Sequence, residues 1–244
     1  MDKKTVLITG GATGIGRATA LALARLGLNI AINYSRSEDD ALTAAAEVQA
    51  AGAACLIYRA DVADDLQVRA LVDAVADRFG GLDYLVNSAG VTNFVDYADL
   101  EGLKEEYWDR AFGINVKGLF YACRAASPYL KAAGGSIVNI TSIAGMTGKG
   151  SSIAYAASKA AAISVTKSLA LTLAPDVRVN SVAPGIVMTR WVEGREDHIQ
   201  RLSKGTPLGR VCHAEDVAEV VVPLLLSAGM MTGQTIVVDG GAVM

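Results

Sequence analysis

Tyr155 and Lys159 stand four residues apart in "SSIAYAASKAAAISV" (151–165), a run otherwise built from small or apolar side chains. On a helix, residues i and i+4 share a face, so the phenol and the ammonium are neighbours. A free tyrosine titrates near ~10, too high for proton transfer at neutral pH. A nearby positive charge stabilises the phenolate and lowers that value. A phenol tuned in this way serves as a general acid–base group. Alone, the pair also reads as a half-buried tyrosine beside a solvated lysine, and two further residues bear on the choice. Ser142 ends an apolar run upstream of Tyr155 and offers a hydroxyl that can polarise a carbonyl. Asn115 lies in "GINVKG" (113–118), where its side chain can open a helix locally and hold a water next to the lysine.

A second constellation concerns phosphate. "TGGATGIG" (9–16) follows an apolar run and precedes a helical pattern. Gly10, Gly14 and Gly16 permit a tight turn and a close backbone approach, and the helix start beyond them aims free N–H groups and a positive dipole end at the loop. A pyrophosphate fits there. Without its strand–turn–helix setting the pattern is a plain glycine turn.

These residues need a scaffold, and the chain alternates strand and helix patterns to supply one. Strands are expected at 5–10, 29–34, 54–61, 82–90, 135–142, 177–185 and 234–241. Helices are expected at 14–27, 37–52, 65–80, about 104–132, 152–174 and 214–228. Strands that are apolar on nearly every residue, each followed by a helix, imply a parallel sheet covered on both faces. Right-handed crossovers then give an α/β fold, a doubly wound Rossmann sheet of about seven strands in one domain over 1–244. Segment 186–213 is polar and falls outside the alternation, which is where a lid over a site would sit.

Composition narrows the function. The 244 residues are 52% hydrophobic and 19% charged, enough to bury a sizeable core. A net charge of −3 gives no electrostatic case for nucleic acid. No apolar run is long enough to span a bilayer. The charged N-terminus runs straight into the first strand, without the pattern of a signal peptide. Cys55, Cys123 and Cys212 are odd in number and far apart, which reads as reduced thiols in a cytoplasmic protein. With His198 and His213 they form no metal-ligand spacing, so no metal is expected.

The T-G-x-x-x-G-I-G loop, "NSAG" (87–90), "YAASK" (155–159) and "PGIVMT" (184–189) together resemble the short-chain dehydrogenase/reductase family, which binds NAD or NADP. The likeness covers essentially the whole chain. It implies a catalytic tetrad of Asn115, Ser142, Tyr155 and Lys159, with Ser142 orienting a carbonyl that Tyr155 protonates. Lys159 would hold the nicotinamide ribose and keep the tyrosine pKa low. Asn115 and water would carry protons to solvent. The resemblance places the cofactor against Gly10, Thr13, Gly14, Ile15 and Gly16, with Asp61 and Val62 beside the adenine. Asp61 also reads as a cap for the helix starting near Asp64. Asn87 is expected at the cofactor or tying adjacent strands, and Ala89 and Gly90 leave room for a ribose. Pro184 and Gly185 would turn the chain around the nicotinamide, with the Val187 N–H and the Thr189 hydroxyl on its carboxamide, and Tyr155 and Lys159 on its ribose.

An acid ending the second strand would bind the adenosine ribose and repel a 2′-phosphate. The sequence has "NYSRS" (33–37) there, and Ser35 with the Arg36 fork favours NADP(H), with NAD(H) the other possibility. Many NADP-preferring relatives carry a basic residue where this chain has Thr13. The substrate pocket is expected to draw on Thr92, Asn93 and Phe94 after the fourth strand, Ala144 and Met146 beyond Ser142, and Met188, Trp191 and His198 in the lid. That mix fits a small-molecule ketone or secondary alcohol. The general likeness is to 3-oxoacyl-acyl-carrier-protein reductases. The arginines such enzymes often place near the mouth are absent, Lys131 alone standing in those stretches. An NAD-dependent dehydrogenase of the same family and a non-catalytic dinucleotide sensor are the other readings. Many relatives are tetramers, and small-residue faces on the helices at 104–132 and 152–174 suit a homotetramer or homodimer.

Overall fold

Alternate residues of each strand face opposite helical layers, and this sets the architecture of the computed structural model, which describes residues 3–190 and 205–244. The strands are β1 (Thr5–Thr9), β2 (Asn29–Tyr34), β3 (Cys55–Arg59), β4 (Tyr84–Asn87), β5 (Ser136–Ile140), β6 (Arg178–Pro184) and β7 (Thr235–Val238). They form one parallel sheet of seven strands in the order β3-β2-β1-β4-β5-β6-β7. Val6 and Ile8 of β1 enter one core with helices α1 (Gly14–Arg25), α2 (Glu38–Ala50) and α8 (Ala214–Leu226). Leu7 enters the other, with α3 (Asp65–Phe79), α5 (Leu119–Ala133) and α7 (Ile153–Leu173). The two-residue period of a strand thus feeds two separate apolar layers, as a doubly wound sheet requires.

Order reverses between β1 and β4, so the helices after these neighbouring strands leave to opposite faces. That parting opens a crevice at the carboxyl ends of the strands. The predicted elements are present with trimmed ends, and the strand expected at 82–90 pairs only over Tyr84–Asn87. Three features differ more. The helix expected over 104–132 is α4 (Glu105–Phe112), a widened π-helical segment at Gly113–Gly118, and then α5. A four-residue helix, α6 (Ala144–Thr147), follows β5 unannounced by the sequence pattern. The cap of α3 is Asp64, whose side chain accepts from the N–H groups of Leu66 and Gln67 at 2.9 and 3.2 Å. Asp61 accepts instead from the Ala63 N–H, a tight turn that leaves it free of the helix-cap role.

All three cysteines are free thiols. Burial pushes Cys55 up to about 11 and Cys123 up to about 12, and Cys212 also moves up. No helix among the described residues is long and apolar enough to cross a membrane.

Candidate active site

A crevice of about 1090 Å³ runs along the strand ends, collecting residues that follow six of the seven strands. At one end lies the glycine loop. Gly10 has φ +62°, and a side chain there would sit 2.8 Å from the Ala89 Cα. The loop after β1 therefore presses directly on the loop after β4. The Ala89 N–H donates to the Thr9 hydroxyl (3.3 Å), and the Gly10 N–H donates to the Asn33 side chain (3.4 Å). Thr13 precedes α1 in extended conformation, so the helix opens toward the crevice. Thr13, Gly14 and Ile15 line it. Gly16 does not: its α-carbon packs against the Gly10 carbonyl, and a side chain would drive helix and loop apart. Its place is beneath the cradle.

Ser35 and Arg36 are exposed on the crevice wall after β2. Asp61 and Val62 line it after β3, and Ala89 and Gly90 after β4. Asn87 belongs elsewhere. It is buried and donates to the Asn139 side chain (2.9 Å) and to Cys123 Sγ (3.2 Å), while Asn139 donates to the Thr166 hydroxyl (2.9 Å). This thread ties β4, β5, α5 and α7 together, the strand-tying role rather than cofactor contact. On the far side, Pro184, Gly185, Val187 and Thr189 line the crevice. Val187 is bridged to Cys212 through the Met188 N–H (2.8 Å) and the Cys212 N–H (3.0 Å), which leaves the Val187 N–H outside the bridge.

The tetrad residues come from three elements. Ser142 follows β5 by two residues, where its oxygen accepts from the Ala144 N–H (3.1 Å), and its hydroxyl is near enough to the Tyr155 phenol to favour the phenolate. Tyr155 and Lys159 share a face of α7, whose start is capped by the Ser152 hydroxyl accepting from the Tyr155 N–H (3.2 Å). Lys159 is buried and donates to the Ile140 carbonyl (2.9 Å), its ammonium 5.8 Å from the Tyr155 ring centre. The electrostatics depart from the expected depressed tyrosine. Packing around the half-buried ring desolvates the phenolate and pushes Tyr155 up to about 12, with the Ser142 hydroxyl pulling it back only in part. Burial draws Lys159 down to about 8. In the chain by itself, desolvation outweighs the influence of the ammonium on the phenol.

Asn115 sits in the π-helical segment, and both ends of its side-chain amide are engaged. Its Nδ2 donates to the Val91 carbonyl (3.0 Å) and the Ser158 hydroxyl (2.9 Å), and its Oδ1 accepts from the Val91 N–H (2.8 Å). The side chain is a clasp among three segments, with one lone pair of Oδ1 beyond the bond from Val91.

Of the expected substrate residues, Phe94 and Ala144 line the crevice. Thr92 and Asn93 do not, and the Thr92 hydroxyl is bonded to Ser151 Oγ. Met146 and Met188 are exposed outside the lining. Trp191 and His198 lie outside the described residues, as does the middle of the expected lid. Sequence reading missed Val95, Asp96 and Tyr97, and also Lys149, Gly150 and Ser151, all at the crevice. The two groups are stitched together by the Val95 N–H donating to the Ser151 carbonyl (2.9 Å) and the Tyr97 hydroxyl to the Gly148 carbonyl (3.0 Å). Position in the chain was the available signal: the second group lies directly before Tyr155.

Residues 10–243 match the family described as enoyl-(acyl carrier protein) reductase. The chain is similar to the 3-oxoacyl-[acyl-carrier-protein] reductase FabG of Staphylococcus aureus, with 38% identity over 99% of this chain and 98% of the relative. It is 39% identical to a 3-oxoacyl-[acyl-carrier-protein] reductase of Synechocystis, over 100% of this chain and 98% of the relative. The solved structure of a short-chain type dehydrogenase/reductase from Mycobacterium ulcerans superposes with a TM-score of 0.91 at 32% identity, covering 99% of this chain and 90% of that one.

Proposed function

The chain belongs to the short-chain dehydrogenase/reductase family, and from that membership we propose that it is an NADP-preferring ketoreductase. It passes hydride between NADP(H) and a ketone or secondary alcohol, with Tyr155 as the general acid–base. The observation that carries this reading is that Ser142, Tyr155 and buried Lys159 meet on the wall of one crevice that begins at a glycine cradle.

The crevice fits a nicotinamide dinucleotide. Gly14 leaves clear the space beside Thr189 that a side chain would fill, Gly10 lets the loop close on Ala89, and the start of α1 lines the crevice. Ser35 and Arg36 follow β2 with no acid at the strand end, which suits a 2′-phosphate. The Val187 N–H and Thr189 would hold the carboxamide, and Tyr155 and Lys159 the adjoining ribose. A bound dinucleotide supplies the hydride. The protein's own part is at the oxygen. Ser142 and Tyr155 present two donors to one carbonyl oxygen and polarise it, and Tyr155 gives that oxygen its proton. Lys159 holds its charge next to the phenol and stabilises the phenolate left behind. Phe94, Val95 and Tyr97 give the substrate end an apolar wall, which suits a medium-sized 3-oxo compound, free or carried as a thioester.

A panel of ketones and 3-oxoacyl thioesters, run with NADPH and NADH in parallel, tests the reading. NADPH should give at least about tenfold higher kcat/KM, and Arg36→Ala should remove most of that preference. Equal use of the two cofactors, or an unchanged preference in Arg36→Ala, defeats the NADP assignment. Dinucleotide binding with no turnover across the panel favours a sensor instead.

A further inference from the structure

We infer that Ser158 is a positioning residue for the acid–base pair, acting by locking α7 to the Asn115 clasp. This inference rests on the ketoreductase reading for its kinetic consequence, but its geometry stands separately. Ser158 lies between Tyr155 and Lys159 on α7 and is completely buried. Its hydroxyl donates to the Tyr155 carbonyl (2.8 Å) and accepts from Asn115 Nδ2 (2.9 Å). Asn115 in turn grips both backbone groups of Val91, a crevice residue on the loop after β4. A continuous hydrogen-bonded path therefore joins the backbone of the proton donor to the crevice wall across from it.

Ser158 closes that path because of its chemistry. A hydroxyl donates and accepts at once, so it serves its own helix and the neighbouring segment with one atom. Both Nδ2 hydrogens of Asn115 are used, one on Val91 and one on Ser158. Without the hydroxyl, one amide hydrogen is stranded in a buried site, and the asparagine must turn toward other partners. The rotation of α7 about its axis near its start, where it aims the phenol and the ammonium together, then rests on the Lys159–Ile140 bond and apolar packing, the Asn139–Thr166 bond holding the helix only farther along. Alanine packs as well as serine on a helix, so the helix itself survives the loss.

The test pairs Ser158→Ala with Ser158→Thr, which keeps the hydroxyl. Acetoacetyl-CoA with NADPH is the kinetic probe, and peptide-level hydrogen exchange around Val91 is the structural one. Ser158→Ala should lower kcat about tenfold or more with KM for NADPH within about twofold, since small misplacement of a catalytic group is costly. Ser158→Thr should retain most of kcat. In an Asn115→Ala background, Ser158→Ala should add little, as expected of residues acting through one network. Exchange of the Val91 segment should quicken about tenfold in Ser158→Ala. A kcat within about twofold of wild type in Ser158→Ala overturns the inference, as does full additivity with Asn115→Ala. If the wild-type chain turns over no substrate, the ketoreductase reading fails by itself. Exchange then decides the positioning claim, with unchanged protection at Val91 overturning it.

Discussion

Burial draws the Lys159 ammonium down to about 8 and lifts the Tyr155 phenol up to about 12, so the lysine loses its proton well before the tyrosine does. The sign of the pH dependence follows. In the ketoreductase proposed above the reductive direction needs a protonated phenol, and Tyr155 keeps that form at every pH below about 12. It also needs a charged lysine, which is present below about 8 and lost above it. The kcat/KM for reduction, which reports the free enzyme, should hold level to about pH 8 and then fall as Lys159 deprotonates. A profile level to pH 10 would contradict this origin. Removing the acid altogether is the sharper test. Tyr155→Phe keeps the ring and its packing, so turnover should drop roughly a hundredfold to ten-thousandfold. Dinucleotide affinity, measured by fluorescence titration, should stay within a few fold. Near-normal turnover in that variant would remove Tyr155 from its role.

The loop after β4 and the loop between α6 and α7 form one wall through bonds from Val95 and Tyr97 to Ser151 and Gly148. Gly150 packs beside the Tyr155 ring, so this wall also backs the proposed acid. Tyr97→Phe deletes one stitch and leaves the ring. Substrate KM should rise about threefold to tenfold with kcat nearly unchanged, the signature of lost ground-state binding. A fall in kcat at constant KM would instead tie the stitch to the chemistry. Elements of this kind explain what the sequence could disclose. Strand and helix order, and the glycine loop between the first two elements, follow local periodicity and were legible. The π-helical segment was only hinted at by Asn115. It is sustained by tertiary contacts, with Gly118 against Val62 and Asn115 on Val91 and Ser158. The short helix α6 is likewise set by packing, since Gly145 lies against the backbone of α7 with no room for a side chain. Asn87 and Gly16 carry family motif positions, yet their work is beneath the crevice, a distinction that only the packing draws.

At the scale of the molecule, the sheet gathers every strand end on one edge and leaves the helical layers for other uses. The outward side of α7 carries Ala160, Ser164, Lys167 and the 84% exposed Leu171. Packing of this face and of the helix stretch 104–132 across two-fold axes should give a homotetramer, or a homodimer where one face alone is used. Light scattering that finds a monomer would defeat this expectation. The cysteines have a practical bearing as well. Thiolate is the reactive form of cysteine, and all three thiols here are shifted away from it by burial. Toward mild alkylating dyes in neutral buffer, the folded chain should behave as though it had no cysteine. One cysteine placed at an exposed site, as in Lys131→Cys, would then take a fluorophore selectively, with the native thiols left in place.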